Sequence, residues 1–308
     1  MTGRKSRAAF RRAVILSAAV LAVCSSRAQA AGAPIPHGTL ELLAEKQWIA
    51  VGHPFNLALR FELERGWHVY WVNPGDSGEP PRVTWDLPAG IKAGAIEWPA
   101  PRRLGTSTIV DYGYEDAVTL VVPMRADETL SSQNPAQIAA NVKVLVCREM
   151  CIPGKAQVSL TLPVKLQPPP ASVQSTQFFT EARKAWPRPV PASWKFAIAQ
   201  TNDSLVLTGN LGRKITDAIF FPLAESQVSN AAPQTLVPTA TGFTLTLRKS
   251  DQLLKPIARL KGILVLSGEQ PYSIDVPIGK LGGAAGPISS KQMRDQSIPE
   301  SVSAQYNF

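Results

Sequence analysis

Residues 138–164 read IAANVKVLVC-REM-CIPGKAQVSLTLPV, two alternating runs around a three-residue break bounded by Cys147 and Cys151. In the first run Ile138, Ala140, Val142, Val144 and Val146 share one face; in the second Ala156, Val158, Leu160, Leu162 and Val164 do. Successive strand side chains point to opposite sides, so this period of two predicts paired β-strands with one buried face each. The short break makes them a hairpin with the two cysteines facing one another at its mouth.

The same period extends in both directions. Phe55, Leu57, Leu59, Phe61 and Leu63 alternate with Asn56, Ala58, Arg60 and Glu62, and residues 117–122 give another strand. Asn73-Pro74-Gly75-Asp76 and Ser77-Gly78-Glu79-Pro80 are turn material. Strands this evenly spaced, without helices between them, predict an all-β antiparallel sandwich over residues 31–166. Gln167-Pro168-Pro169-Pro170 opens a proline-rich linker, residues 167–193, holding a short helix at 178–186 that Pro187 stops. A second, smaller sandwich is expected over 194–278, where Phe243, Leu245, Leu247 and then Tyr272, Ile274, Val276, Ile278 alternate. Residues 279–308, rich in Gly, Ser and Gln, are expected to be a disordered tail. No strict internal repeat is visible.

Composition narrows the function. The chain has 308 residues, 44% apolar and 18% charged, with 27 prolines, ample for two cores. Its formal charge of +9 suggests nucleic acid until the charges are located. Arg4, Lys5, Arg7, Arg11, Arg12 and Arg27 all lie in the first 30 residues, around an apolar run at 13–23 and before Ala28-Gln29-Ala30. That is a secretory signal peptide, residues 1–30, cleaved after Ala30; the apolar run is too short to span a membrane. A twin-arginine route through Arg11-Arg12 and lipidation at Cys24 both fit the flanking residues poorly. Without the segment, 26 bases face 23 acids and no basic block remains, so a nucleic-acid or acidic-membrane partner loses its support. The expected product is exported and soluble.

Cys24 leaves with the signal, so Cys147 and Cys151 are the mature cysteines, an even pair bound for an oxidising compartment. Facing hairpin positions bring Cα atoms to about 4.5–5.5 Å, which a disulfide accepts. The loop they close is tiny, so the bond constrains the unfolded chain little. Arg148 favours a thiolate and Glu149 opposes it. Three uses stay open on spacing alone: a redox-active pair, a passive local disulfide, or a metal site. The spacing is not the CxxC of a thioredoxin fold.

Other candidates read as packing. Trp67, His68, Tyr70 and Trp71 could form a sugar-stacking or copper-binding face, but His37 and His53 are remote and no Met or Cys cluster joins them. Asp76 and Glu79 lie in turns, where solvation explains them better than acid–base work. The chain has no Gly-x-Ser-x-Gly elbow, glycine-rich phosphate loop or His-Glu-x-x-His.

The run Val146-Cys147-Arg148-Glu149-Met150-Cys151-Ile152-Pro153-Gly154, leading into residues 156–163, resembles the N-terminal periplasmic domain of DsbD-type thiol:disulfide interchange proteins, in particular the ScsB-like branch. Three more segments agree in order: GWHVYWVNPGDSG at 66–78, IEWPAPR at 96–102 and Tyr112-Gly113-Tyr114. The resemblance covers residues 38–166 well and the second block loosely. It implies immunoglobulin-like sandwiches and a redox-active pair, Cys147 and Cys151, with Cys151 exchanging with the downstream partner and Cys147 completing the internal bridge. It also implies an aromatic cap loop over the pair, in which Asp111, Tyr112 and Tyr114 lie. The implied partners are a membrane electron carrier, DsbD or CcdA-like, and periplasmic thioredoxin-fold proteins; no cofactor is implied. Family members continue into membrane and thioredoxin-like domains, so the carrier is expected to be a separate protein. The setting implied is periplasmic redox homeostasis and cytochrome c biogenesis. The alternative is a non-catalytic protein-binding sandwich with a structural disulfide.

Overall fold

The computed structural model describes residues 32–105, 108–168 and 173–279. The expected signal peptide, Pro169 and Pro170 of the linker, and the expected tail beyond Gly279 lie outside them.

Among the described residues the first block holds thirteen strands. They begin β1 (Ala33–Ile35), β2 (Gly38–Ala44), β3 (Ile49–Ala50), β4 (Pro54–Leu63) and β5 (His68–Gly75). They continue β6 (Arg82–Asp86), β7 (Ile91–Ala93), β8 (Arg102–Gly105) and β9 (Val110–Glu115). The last are β10 (Ala117–Ala126), β11 (Ala136–Cys147), β12 (Cys151–Leu162) and β13 (Val164–Lys165). One antiparallel sheet runs β1-β2-β4-β10-β7 and the other β12-β11-β5-β9-β8, with β6 also paired to β11. Their apolar faces close on one core: Leu57, Leu59, Phe61 and Leu120 from the first sheet meet Val69, Trp71, Ile138, Ala140 and Val142 from the second. The hairpin of β11 and β12 pairs in register from Ala136↔Leu162 to Cys147↔Cys151, as the alternation predicts.

The second block follows a helix, α1 (Val173–Lys184), which starts earlier than the predicted 178–186 and ends before Pro187. Its strands are β14 (Arg188–Pro189), β15 (Lys195–Gln200), β16 (Ser204–Asn210), β17 (Ala218–Pro222) and β18 (Thr235–Thr239). After these come β19 (Gly242–Arg248), β20 (Arg259–Leu266) and β21 (Tyr272–Pro277). Sheets β14-β21-β20-β17 and β15-β16-β19-β18 enclose a second core of Phe196, Leu207, Phe220, Phe243, Leu245 and Leu264. The fold is all-β, with one helix among the described residues; its sheets are antiparallel except for the two-stranded β13–β3 pair and the β14–β21 pair, which are parallel.

The linker and the strand pattern both miss a contact between the blocks. Phe221 and Ile263, on the outer face of β17 and β20, belong to the first block's core, packed with Trp71 and Tyr112. That sheet is therefore buried on both faces. In β21 the residues alternating with the apolar ones, Ser273 and Asp275, are buried as well, Asp275 against Arg259 and Lys261. Helix α1 lies on the first sheet through Phe179 and Ala182, and its Arg183 pairs with Glu45.

Candidate functional site

The hairpin brings Cys147 and Cys151 together as a disulfide with Cα atoms 4.2 Å apart. The two ends differ in exposure. Cys147 closes β11 in the core at 2% exposure, while Cys151 opens β12 on the surface beside Met150, 70% exposed. A disulfide is attacked along the S–S axis at one sulfur, so unequal exposure makes one position reachable and the other a leaving group.

Cross-strand register extends this row. Cys147 faces His68 of β5, and His68 faces Glu115 of β9. Facing residues on antiparallel neighbours project from the same side of the sheet, so His68 lies beside the buried cysteine. Tyr70, two residues on, shares that side; its ring meets His68 edge-on at 5.1 Å and its hydroxyl donates to Cys151 Sγ at 3.3 Å. Burial pushes the Tyr70 hydroxyl up to about 12, although a bond with Ser77 works the other way. Tyr70 therefore keeps its proton at neutral pH and is a fixed donor to the sulfur.

His68 is buried and its Nε2 has no hydrogen-bond partner, Asp111 Oδ2 being 3.9 Å away. Desolvation lowers its pKa, opposed by the Asp111 and Glu115 carboxylates. Asp111 is pushed up by burial, opposed by bonds from Ser77, whose backbone N–H and hydroxyl donate to Asp111 at 3.0 and 2.9 Å. A neutral imidazole beside Cys147 can accept a proton from the thiol once the bond is reduced.

The turn after β5 covers the tyrosine. Gly78 has φ +81°, and a Cβ there would stand 2.1 Å from Tyr70 Cζ; only glycine lets the backbone lie on this ring. Arg148, between the cysteines, lies 5.0 Å over the Trp67 ring, which also stacks with His37. Its charge is thus spread over an aromatic as well as available to the loop.

Of the site residues the sequence points to, Cys147 and Cys151 are bonded and Asp111 comes near them through His68. The Tyr112 hydroxyl donates to Asn230 Oδ1 at 2.9 Å, and the Tyr114 hydroxyl to the Pro99 carbonyl at 2.8 Å. The tyrosine hydroxyl at the sulfur is that of Tyr70. Sequence reasoning treated His68 and Tyr70 as packing. The available signal was their spacing of two in Trp67-His68-Val69-Tyr70-Trp71, which puts both polar tips on one strand face. Among the described residues no cluster of three or more His, Cys, Asp or Glu is placed to hold a metal ion.

Residues 39–163 match the family described as thiol:disulfide interchange protein DsbD, N-terminal. Among solved structures, the N-terminal periplasmic domain of ScsB from Proteus mirabilis aligns with a TM-score of 0.58 at 16% identity, covering 79% of this chain and 94% of that one. At that identity the likeness is one of fold. The periplasmic chaperone SfaE aligns over 77% of this chain and 97% of its own at 9% identity, but with a TM-score of 0.21 it carries no weight. No curated protein matches the chain. The disulfide hairpin falls inside the matched segment, residues 39–163, which is similar to the N-terminal domain of DsbD-type thiol:disulfide interchange proteins.

Proposed function

We propose that this protein is a periplasmic thiol:disulfide exchange protein, passing reducing equivalents from a membrane electron carrier to periplasmic thioredoxin-fold proteins through Cys147 and Cys151. The observation that carries the reading is the asymmetric bridge: Cys151 exposed under a tyrosine hydroxyl, Cys147 buried beside a histidine. The periplasmic setting rests on the solved relative and on the basic, apolar leader. No helix among the described residues is long and apolar enough to cross a membrane.

In the loading step a donor thiolate attacks Cys151 Sγ and Cys147 leaves as a thiolate. The donor's second thiolate then releases Cys151, so the donor becomes a disulfide and the pair a dithiol. In delivery the Cys151 thiolate attacks the recipient's disulfide and expels one of its sulfurs. The Cys147 thiol gives its proton to His68, and the resulting thiolate attacks Cys151 Sγ and expels the other. Two electrons move, the recipient's thiolates take up protons, and the bridge is restored. Asp111, with Tyr112 and Tyr114 fixing its strand, forms the shielding side of the site together with Tyr70.

Trapping tests the assignment. Cys147→Ser lacks the resolving thiol and should accumulate a mixed disulfide with a periplasmic thioredoxin-fold protein, whereas Cys151→Ser should trap far less. Equal trapping by both removes the roles given to the sulfurs. A reduction potential in glutathione buffers well below about −300 mV would mark a structural bond and overturn the function.

A further inference from the structure

The second block has no reacting group at the disulfide, yet it reaches the site through Asn230, in the segment between β17 and β18. This side chain is buried, and its polar atoms are all engaged across the block boundary. Its Nδ2 donates to Asp76 Oδ1 at 2.9 Å, its Oδ1 accepts from the Tyr112 hydroxyl at 2.9 Å, and its carbonyl accepts from Arg103 at 2.5 Å. Asp76 uses its other oxygen, Oδ2, to accept from the Val110 backbone at 2.8 Å. Nearby, Asn73 donates to the Pro222 carbonyl of β17 at 2.8 Å and accepts from the Gly75 N–H at 3.1 Å. The segment 73–78, the end of β5 and the bend after it, is therefore pinned at two points by the second block. Its far end is Gly78, pressed on the Tyr70 ring, and Ser77, bonded to Asp111.

We propose that Asn230 is a positioning residue for the redox site: by fixing Asp76 it holds the bend after β5 against Tyr70 and so keeps the Tyr70 hydroxyl on Cys151 Sγ. The second block then sets the reactivity of a cysteine it does not touch. The physical route is short and continuous, one hydrogen bond to Asp76, two peptide bonds to Gly78, and one van der Waals contact to the ring. The hydroxyl matters because a donor aimed at the sulfur stabilises the thiolate that does the chemistry. This inference rests on the reading of Cys151 as the exchanging sulfur.

The charged and titratable groups around Cys151 are His68 and Tyr70 on β5, Asp111 and Glu115 on β9, Cys147 on β11, and Arg148 and Glu149 in the loop. The experiment is the pH profile of iodoacetamide alkylation of Cys151 in the reduced full chain, with Cys147→Ser as the common background. Asn230→Ala should move the profile to higher pH and slow alkylation at pH 7 by about threefold or more, the scale of one modest hydrogen bond. Tyr70→Phe should move it the same way, and Asn230→Ala added to Tyr70→Phe should move it no further. Tyr112→Phe, which keeps the ring in place and removes one bond to Asn230, should give a smaller shift in the same direction and serves if Asn230→Ala does not fold. Profiles for Asn230→Ala and Tyr112→Phe that coincide with the parent overturn the proposal. So does full additivity with Tyr70→Phe. Alkylation needs no partner protein, so failure here is distinct from failure of the exchange function, which shows in trapping and in the reduction potential.

Discussion

At the scale of single residues, His68 is the side chain whose burial has the clearest cost. Its pKa lies below the ordinary 6.5 because the charged ring is desolvated. Between the folded and unfolded values the unfolded chain binds more protons, so stability falls as pH drops from about 6.5 toward the folded value. Asp111 has the opposite sign: its raised pKa makes its charge costly at high pH, a cost relieved as pH falls. Replacing His68 by Gln removes the first effect and also the positive ring that helps to hold the Asp111 pKa down. Urea unfolding should show the parent losing stability relative to His68→Gln as pH falls from about 6.5 to about 5. Parallel curves would exclude His68 as the titrating group. The two cysteines were legible from their flanking alternation; His68 and Tyr70 were not, because a polar residue in an aromatic strand looks like packing until its facing neighbour is known.

At the scale of elements, the β5–β6 connection does more than reverse the chain. Gly75 and Gly78 both have positive φ, and Gly78 also meets the Tyr70 ring. Gly212 also has positive φ, +75°, but nothing lies within 4 Å of a Cβ built there. Gly212→Ala should therefore cost only the left-handed backbone penalty, about 1–2 kcal/mol. Gly78→Ala should cost more by denaturant unfolding and should also disturb the Tyr70 contact with Cys151. Equal losses would show that the turn yields without displacing the ring. The bend that follows β5 was readable from Ser-Gly-Glu-Pro, whereas Asn73-Pro74-Gly75, which reads as turn material, is the end of the strand. What the turn rests on was not, since Tyr70 and Gly78 meet only after the strand folds back.

At the scale of the whole molecule, the blocks share core as well as chain. Phe221 sits at 2% exposure among Trp71 and Tyr112, 6.4 and 5.2 Å away by ring centroids. Phe221→Ala should cost about 3–5 kcal/mol, as large core truncations do. It should also split the calorimetric unfolding into two transitions, because the face joining the cores is lost. A single transition at a lower temperature would mean the polar contacts through Asn73 and Asn230 suffice to couple the blocks. We propose the division at residues 167–193 as the domain joint. Limited proteolysis should cut there, or beyond residue 279, before either block degrades; first cleavage within 138–164 would contradict it.

The sequence by itself determined the strands, the hairpin with its facing cysteines and the proline-rich break. Those features depend on side-chain alternation and on local turn chemistry, which act within a few residues. Asp111, Tyr112 and Tyr114, expected in a loop from the resemblance, lie on the strand β9. Only the tertiary structure decided which groups face the sulfurs. The row of Cys151, Cys147, His68 and Glu115 crosses four strands, and register across strands is set by packing at long range. The same holds for the sheet of β17 and β20. Its alternation announced one buried face, but the second is buried by a partner more than a hundred residues away, and no local pattern encodes that meeting.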